Sequence, residues 1–424
     1  MMKENSLEFW LDYIQTLEPK EIELGLERIK PIYENLIKSK ISSKVIVVGG
    51  TNGKGTAVEF LSRLLMTKNK TVGTFTSPHL FHFNERIKIN GMTVSDELII
   101  ESFKLIEESR GLTHLTYFDF STLASLIIFN EFNVDFMVLE IGLGGRLDPV
   151  NVVDSDIAIL TNVELDHQDW LGVDRESIGK EKADIFKFQK PVILGQHKVP
   201  SSVLENCVKM ENQVFRVGEE FNYQVDDASR RWSYSFEGEK KVSFSNIELN
   251  GFSVSSLSCA LTAFCLLEEE VNVDMDSALD ALDLKGRCEL IDKRFLLDVS
   301  HNESSAKYLA SFIQRNFDDQ IEINAVFGVM ADKDVHSIIE PLIKRINKWY
   351  VTSPDIERSM PAEELGGLIA SKRTNEEVQT IKSVTGACLK AQEDTGEGGL
   401  VLIFGSFYTV SEAFPALKLL RSVA

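Results

Sequence analysis

Residues 45–56 read VIVVGGTNGKGT. Val45–Val48 form an apolar run with the β-branching of a strand buried on both faces. A turn containing Gly49, Gly50, Gly53 and Gly55 follows, with Lys54 inside it, then Thr56 and helical spacing to Met66. Glycine lets backbone approach a ligand without a Cβ in the way. The N–H groups of such a turn, and of the helix after it, form a ready-made anion site. Lys54 can reach terminal phosphates, and Thr56 offers an oxygen to metal or phosphate. The strict P-loop spacing is broken: Val48 occupies its first glycine position, and Gly55 separates Lys54 from Thr56. A ligand-free tight turn is the alternative. The order strand, loop, lysine, helix favours a nucleotide phosphate.

Working outward, Phe136–Leu139, Ile157–Leu160 and Val192–Leu194 are further short apolar runs. Stretches such as Leu123–Asn130 between them have helical spacing. This alternation predicts a three-layer α/β domain around a mostly parallel sheet. Past residue 215 the texture changes. Trp232, Tyr234 and Phe236 alternate with polar residues, as do Val242 and Phe244 after a turn, which predicts an added small antiparallel β region. Helices are expected at roughly 253–269 and 275–283. A second series, Phe295–Val299, Ile323–Phe327, Trp349–Val351 and Val401–Phe404, predicts a smaller, Rossmann-like α/β C-terminal domain. The boundary is placed in Leu284–Arg294, giving domains 1–284 and 285–424.

The chain has 424 residues, and 45 Lys+Arg against 65 Asp+Glu leave a net charge of −20. That balance disfavours nonspecific binding to nucleic acid or to an anionic membrane. An anionic ligand must then be gripped locally. No apolar run is long enough for a membrane span, and the first residues lack the apolar core of a secretory signal. Five cysteines without a CxxC pair read as reduced core thiols of a cytoplasmic protein.

Two other strand ends carry chemistry. Phe136–Glu140 ends in a carboxylate and runs into Ile141–Asp148, IGLGGRLD. An acid there can hold Mg²⁺, directly or through water. Leu165–Gln168, LDHQ, brings His167 as a possible metal ligand and Asp166 to orient its neighbours. Strand ends converging on one edge are where open α/β sheets bind ligands. Lys180, Lys182 and Lys187 fall on an expected helix, where a solvated basic face is the plain reading.

Taken together, GTNGKGT (50–56), TSPHL (76–80), NERI (84–87), LEIGLGGRLD (139–148), LDHQDWLG (165–172), ESIGKEKADIFK (176–187), GR (286–287), LDVSHN (297–302), ADKD (331–334) and FGSFYTV (404–410) resemble the folylpolyglutamate synthase family of the Mur ligase superfamily. IELGLER (22–28) and LTYFDF (115–120) are similar to its bacterial bifunctional members, which are also dihydrofolate synthases. The muramyl ligases usually carry a UDP-binding domain before the phosphate loop, and 48 residues are too few for one.

The resemblance implies a P-loop, Mur-ligase-like ATP-binding domain followed by a glutamate-ligase domain. Thr51, Asn52, Gly53, Lys54, Gly55 and Thr56 would cradle ATP, joined by Arg287 and Asp298. Ser77, Glu140 and His167 would hold Mg²⁺, two ions being expected. Lys182 matches a lysine that is carbamylated in the family and then serves as a metal ligand. A monovalent cation is a further expected cofactor. Lys54, Lys182 and His301 would be catalytic, His301 standing near the ATP contacts. Ile22, Glu23, Leu24, Gly25, Thr116, Tyr117, Phe118, Asp119, Leu147, Asp148 and Pro149 match segments that bind the pterin substrate.

The sequence also departs from the family pattern. Leu257, in SVSSLSCA (253–260), takes the place expected for an asparagine. Asp184 adds a carboxylate next to Lys182, and Pro149 and Val150 replace the commoner Ala-Thr.

The chemistry implied is ligation through an acyl phosphate. A carboxylate resists attack until phosphoryl transfer gives it a leaving group. The amine of L-glutamate then displaces phosphate. Dihydropteroate and reduced folates are the expected acids, in a monomeric enzyme. The alternatives are a monofunctional folylpolyglutamate synthase, a P-loop kinase or NTPase, or a nucleotide-binding regulator. DVSHN and FGSFY in a second domain argue against a simple kinase.

Overall fold

The computed structural model describes residues 6–17, 25–38, 41–249, 251–372 and 377–423, with side chains to 418. The chain forms two compact units, Met1–Leu282 and Asp283–Ala424.

The first unit is built on eight strands: β1 (Lys44–Gly49), β2 (Val72–Phe75), β3 (Ile87–Ile89), β4 (Met92–Thr93), β5 (Phe136–Glu140), β6 (Ile157–Leu160), β7 (Val192–Leu194) and β8 (Val214–Arg216). Their order is β4-β3-β2-β5-β1-β6-β7-β8. The pairs from β2 to β8 are parallel, and β3 and β4 add an antiparallel edge.

Side chains alternate across β1 with period two. Val45 and Val47 enter the core on one face with Phe75, Leu139 and the helix Tyr117–Glu131. Ile46 and Val48 enter the other core, with the helices Lys54–Met66 and Val254–Leu267. Burial on both faces explains the unbroken apolar run. Each such side chain contributes about 1.5–3 kcal/mol. The expected three layers are present.

The antiparallel region has three strands, β9 (Phe221–Asp226), β10 (Arg231–Glu237) and β11 (Lys241–Glu248), in the order β11-β10-β9. Two were legible. The first was not, because Phe221–Asp226 turns only Phe221 fully inward. Trp232, Tyr234 and Phe236 face the core, as their alternation predicts.

The second unit holds β12 (Glu289–Ile291), β13 (Phe295–Asp298), β14 (Ile323–Phe327), β15 (Lys348–Val351), β16 (Val378–Thr380) and β17 (Leu400–Phe404), ordered β12-β13-β17-β14-β15-β16. All pairs are parallel except β12 with β13. The four buried strands were expected. The short edge strands β12 and β16 carry too little apolar pattern to be read. All five cysteines are free and buried.

Candidate active site

Strand β1 lies between β5 and β6, where the order of the first sheet reverses, and a crevice opens at the carboxyl ends of such strands. Register puts Val48 beside Glu140 and Gly49 beside Leu160. Ser77 follows β2, the next strand beyond β5. Ser77, Glu140, the glycine turn and Thr161 therefore stand at neighbouring strand ends, about 5 Å apart from strand to strand.

The turn is held from β6. Asn162 Oδ1 accepts the N–H groups of Thr51 and Asn52 at 3.2 and 2.9 Å. Thr161 Oγ1 donates to the Asn52 carbonyl at 2.7 Å. Thr51 Oγ1 accepts the N–H of Glu164 at 3.0 Å. Two glycines are required by space and dihedral together. Gly50 has φ +141° and a Cβ there would sit 1.9 Å from Thr161 Oγ1. Gly53 has φ +79° and a Cβ would sit 2.0 Å from Ser256 Oγ. Thr161, Asn162 and Ser256 were not singled out from sequence. A polar Thr-Asn pair directly after a buried strand was the signal available.

Ser256 adds a residue on the helix that begins at Val254, beside the departure at Leu257. Leu257 is fully buried in the core, so it presents nothing polar. The residue against the glycine turn is Ser256, with Ser253 near it. Helical rotation moves successive side chains about 100°, so one position decides core or site.

Lys54 Nζ donates to the carbonyls of Gly50 and Thr51 at 3.2 and 3.3 Å. Lys182 Nζ donates to the same Gly50 oxygen at 3.0 Å. Lys182 is only 4% exposed, whereas Lys180 on the same helix, Arg175–Ala183, is exposed and Lys187 lies past its end. Burial, then the Lys54 charge, pushes the Lys182 ammonium down to about 7, against the pull of Asp166 and Asp148. Asp184 spends its carboxylate elsewhere: it accepts from Asn206 Nδ2 at 2.8 Å and lies 3.9 Å from Arg146 Nε.

Glu140 is 3% exposed and its Oε2 accepts the Ser77 N–H at 3.1 Å. His167 has φ +51°, and Asp166 accepts its backbone N–H at 2.9 Å, with Nε2 3.9 Å from the other carboxylate oxygen. Among the described residues, no group of three His, Cys, Asp or Glu side chains could hold a metal by itself. A carboxylate, a serine and an imidazole beside a phosphate turn fit Mg²⁺ or Mn²⁺, which take one or two protein ligands and complete the shell with phosphate and water.

Ile22, Glu23 and Leu24 lie outside the described residues. Gly25 donates its N–H to the Leu147 carbonyl at 3.3 Å. Thr116 caps the helix Tyr117–Glu131, and its own N–H goes to Asp119 Oδ2 at 2.8 Å. Arg28 Nη2 reaches the same oxygen at 2.9 Å. Asp119 is fully buried, and among the described residues its Oδ1 has no hydrogen-bond partner. Phe118 packs 5.8 Å from Phe75, and Tyr117 lies 5.7 Å from Phe83, centroid to centroid. Asp148 is 1% exposed and accepts the N–H groups of Leu143 and Val150 at 2.8 and 2.9 Å. Burial pushes it up to about 7. Its carboxylate shapes the loop, and Pro149 beside it is buried.

In the second unit, Asp298 accepts the N–H groups of Cys288 and Ser300 at 2.8 and 2.9 Å, with Arg287 adjoining Cys288. His301 Nδ1 lies 2.9 Å from the Val299 carbonyl, with its ring 6.5 Å from Phe407. Asn302 caps the helix Glu303–Asn316.

The Mur ligase middle domain matches residues 48–258, and the Mur ligase glutamate ligase domain matches residues 286–407. A dihydrofolate synthase/folylpolyglutamate synthase of Buchnera aphidicola subsp. Schizaphis graminum is 35% identical over 98% of this chain and 98% of its own. The structure of E. coli FolC in complex with DHPP and ADP is similar at a TM-score of 0.91 and 34% identity, covering 98% of each chain. A bifunctional folylpolyglutamate synthase/dihydrofolate synthase with Mn, AMPPNP and L-glutamate bound is similar at a TM-score of 0.87 and 34% identity, covering 97% of this chain and 98% of its own. With residues and fold in agreement over nearly its whole length, the chain belongs to the dihydrofolate synthase/folylpolyglutamate synthase family of ATP-dependent Mur ligases.

Proposed function

We propose that this ligase joins L-glutamate to dihydropteroate and to reduced folates through an acyl phosphate, at the strand ends around Gly50. The observation that carries the site is the phosphate turn itself. Its Gly53 leads into a helix N-terminus, its backbone is held by Asn162 and Thr161, and Lys54 lies across it.

Residues 51–56 grip the triphosphate. Lys54 leaves its two carbonyl acceptors for the terminal phosphates, because a charge-assisted bond to phosphate is stronger than one to a carbonyl. Glu140, Ser77 and His167 hold the divalent ion, for which we propose two Mg²⁺. When bound, the ions neutralise charge on the phosphates as it builds up in transfer. Lys182 adds a second feature to the site. Its buried amine is neutral in part at pH 7 and can add CO₂, releasing a proton and becoming a carboxylate-like carbamate ligand. A monovalent cation would balance the added charge.

Gly25, Thr116–Asp119 and Leu147–Pro149 hold the pterin end, with Ile22–Leu24 as their expected continuation. The two hydrogen-bonded links Gly25–Leu147 and Arg28–Asp119 support this grouping. Arg287 and Asp298 are the ATP contacts of the glutamate-ligase domain, residues 285–424, and His301 is the base for the glutamate amine. Residues 1–284 form the ATP-binding domain. We place the enzyme in the cytoplasm as a monomer. No helix among the described residues is long and apolar enough to cross a membrane.

The test supplies ATP, Mg²⁺ and L-glutamate with either dihydropteroate or tetrahydrofolate and weighs the products. One glutamate added to each acid, with one ADP per bond, is expected. Addition to tetrahydrofolate alone would remove the dihydrofolate synthase half. ADP release independent of glutamate would replace the ligase with an NTPase.

A further inference from the structure

Two stretches, TSPHL (76–80) and NERI (84–87), have no role so far beyond Ser77. The structure joins them. The Thr76 N–H donates to the Arg86 carbonyl at 3.0 Å, where β2 meets β3. Asn84 Nδ2 donates to the Val94 carbonyl and to Asp96 at 2.8 and 2.9 Å. Residues 84–86 are thus anchored to the sheet edge.

From that anchor Glu85 turns back on the loop. Its carboxylate accepts three successive backbone N–H groups, those of Leu80, Phe81 and His82, at 2.8, 2.8 and 2.7 Å. A carboxylate filled by three amides is a strong local fastener, since each bond is charge-assisted. Arg86 takes the next point. Its Nε donates to His79 Nδ1 at 2.8 Å. Arginine is protonated at any working pH, so Nδ1 must offer a lone pair. The His79 ring is then neutral, with its hydrogen on Nε2. The Arg86 guanidinium lies 5.7 Å from the Phe83 ring and 5.3 Å from the Tyr117 ring. Both aromatic faces favour a cation there.

The loop 77–82 is therefore fixed at three places: Ser77 on Glu140, His79 on Arg86, and residues 80–82 on Glu85. We propose that Glu85 and Arg86 are positioning residues, which pin this loop so that Ser77 and Glu140 keep the geometry that receives a divalent cation together with the nucleotide. The inference rests on the metal reading given under Proposed function. Neither residue is a metal ligand. Each acts through the loop, as outer partners of metal ligands commonly do.

The experiment titrates Mn²⁺ into the full chain with saturating AMPPNP, reading free Mn²⁺ by electron paramagnetic resonance. Metal-free AMPPNP affinity is measured beside it, and folding is checked by near-ultraviolet circular dichroism. Glu85→Ala should raise the Mn²⁺ Kd about tenfold or more. Glu85→Gln retains one carbonyl oxygen and should raise it less. Arg86→Gln should exceed Arg86→Lys, which keeps the charge. Metal-free AMPPNP affinity should stay within about twofold, because the phosphate turn is untouched. A purely structural role would lower stability and leave the Mn²⁺ Kd of folded protein unchanged. Should Glu85→Ala fail to fold, Glu85→Gln and the Arg86 variants decide. A wild-type Mn²⁺ Kd in every folded variant overturns the inference, and one in the Arg86 variants alone removes Arg86 from it. Absence of nucleotide-dependent Mn²⁺ binding in the wild type defeats the metal reading instead, and this inference with it.

Discussion

Lys54 and Lys182 place their Nζ atoms on one oxygen, the Gly50 carbonyl, at 3.2 and 3.0 Å. Two ammonium groups on a single acceptor repel each other, and burial of Lys182 makes its charge costlier still. The arrangement suits a place that receives anions, as the turn does in the function proposed.

This pair yields a pH prediction. Lys182 has a folded pKa of about 7, below the ordinary lysine value of 10.5. In the window between them the unfolded chain holds the proton and the folded chain does not. Stability therefore rises with pH there, and the cost of Lys182 is fully present below pH 7. Lys182→Met should be more stable than wild type at pH 6. In CO₂-free buffer with chelator, that advantage should shrink by about 1.4 kcal/mol per pH unit above pH 7. Urea unfolding of the two proteins at pH 6, 7, 8 and 9 reads it, and a constant difference would refute it.

Activity should fail at the same two residues for different reasons. Lys54→Ala should lower ADP formation by about 10²-fold or more with either acid, since it removes a charge from the transferring phosphate. Lys182→Ala should do likewise but respond to added short carboxylic acids, which can stand in for a carbamate. Coupled ADP assays with and without acetate or formate distinguish the two variants.

Gly53 and Ser256 make a steric pair. Gly53→Ala should destabilise the first unit by about 1–3 kcal/mol through its positive φ and weaken AMPPNP binding. Ser256→Ala in that background removes the oxygen 2.0 Å from the new Cβ and should recover part of the loss. Thermal melts and calorimetric AMPPNP titrations of both single variants and the double variant measure the coupling. Simple additivity would mean that the contact is not felt.

Arg28 and Asp119 test the pterin end. Asp119→Ala removes the buried carboxylate shared by the Arg28 guanidinium and the Thr116 N–H. A loss of about 3 kcal/mol is expected. The KM for dihydropteroate should rise while the KM for ATP holds. An equal rise in both would show that the pair supports the whole fold and not the pterin segment.

The buried strands were legible because their composition has one meaning. A run such as Val45–Val48 cannot face water on either side, so it marks both a strand and a three-layer domain. The second sheet was readable from Ile323–Phe327 and Val401–Phe404 for the same reason. Edge strands such as β12 and β16 were not, because a strand with one paired side tolerates almost any residue. The glycine turn and Glu140 could be named as candidates as well, since the chemistry that suggests them is local: glycine lets a ligand approach backbone N–H groups, and an acid at a strand end can hold a cation.

What the linear chain determined, then, is the buried elements and the residues whose chemistry is local to one segment. Which side chains meet was decided only by tertiary structure. Lys180 and Lys182 are two residues apart on one helix, yet one is exposed and the other lies buried on Gly50. Ser256 and Leu257 are adjacent, yet one abuts the glycine turn and the other fills the core. Local sequence sets the helix, but its rotation against the sheet is set by packing of distant residues. That rotation assigns every side chain to core, solvent or site.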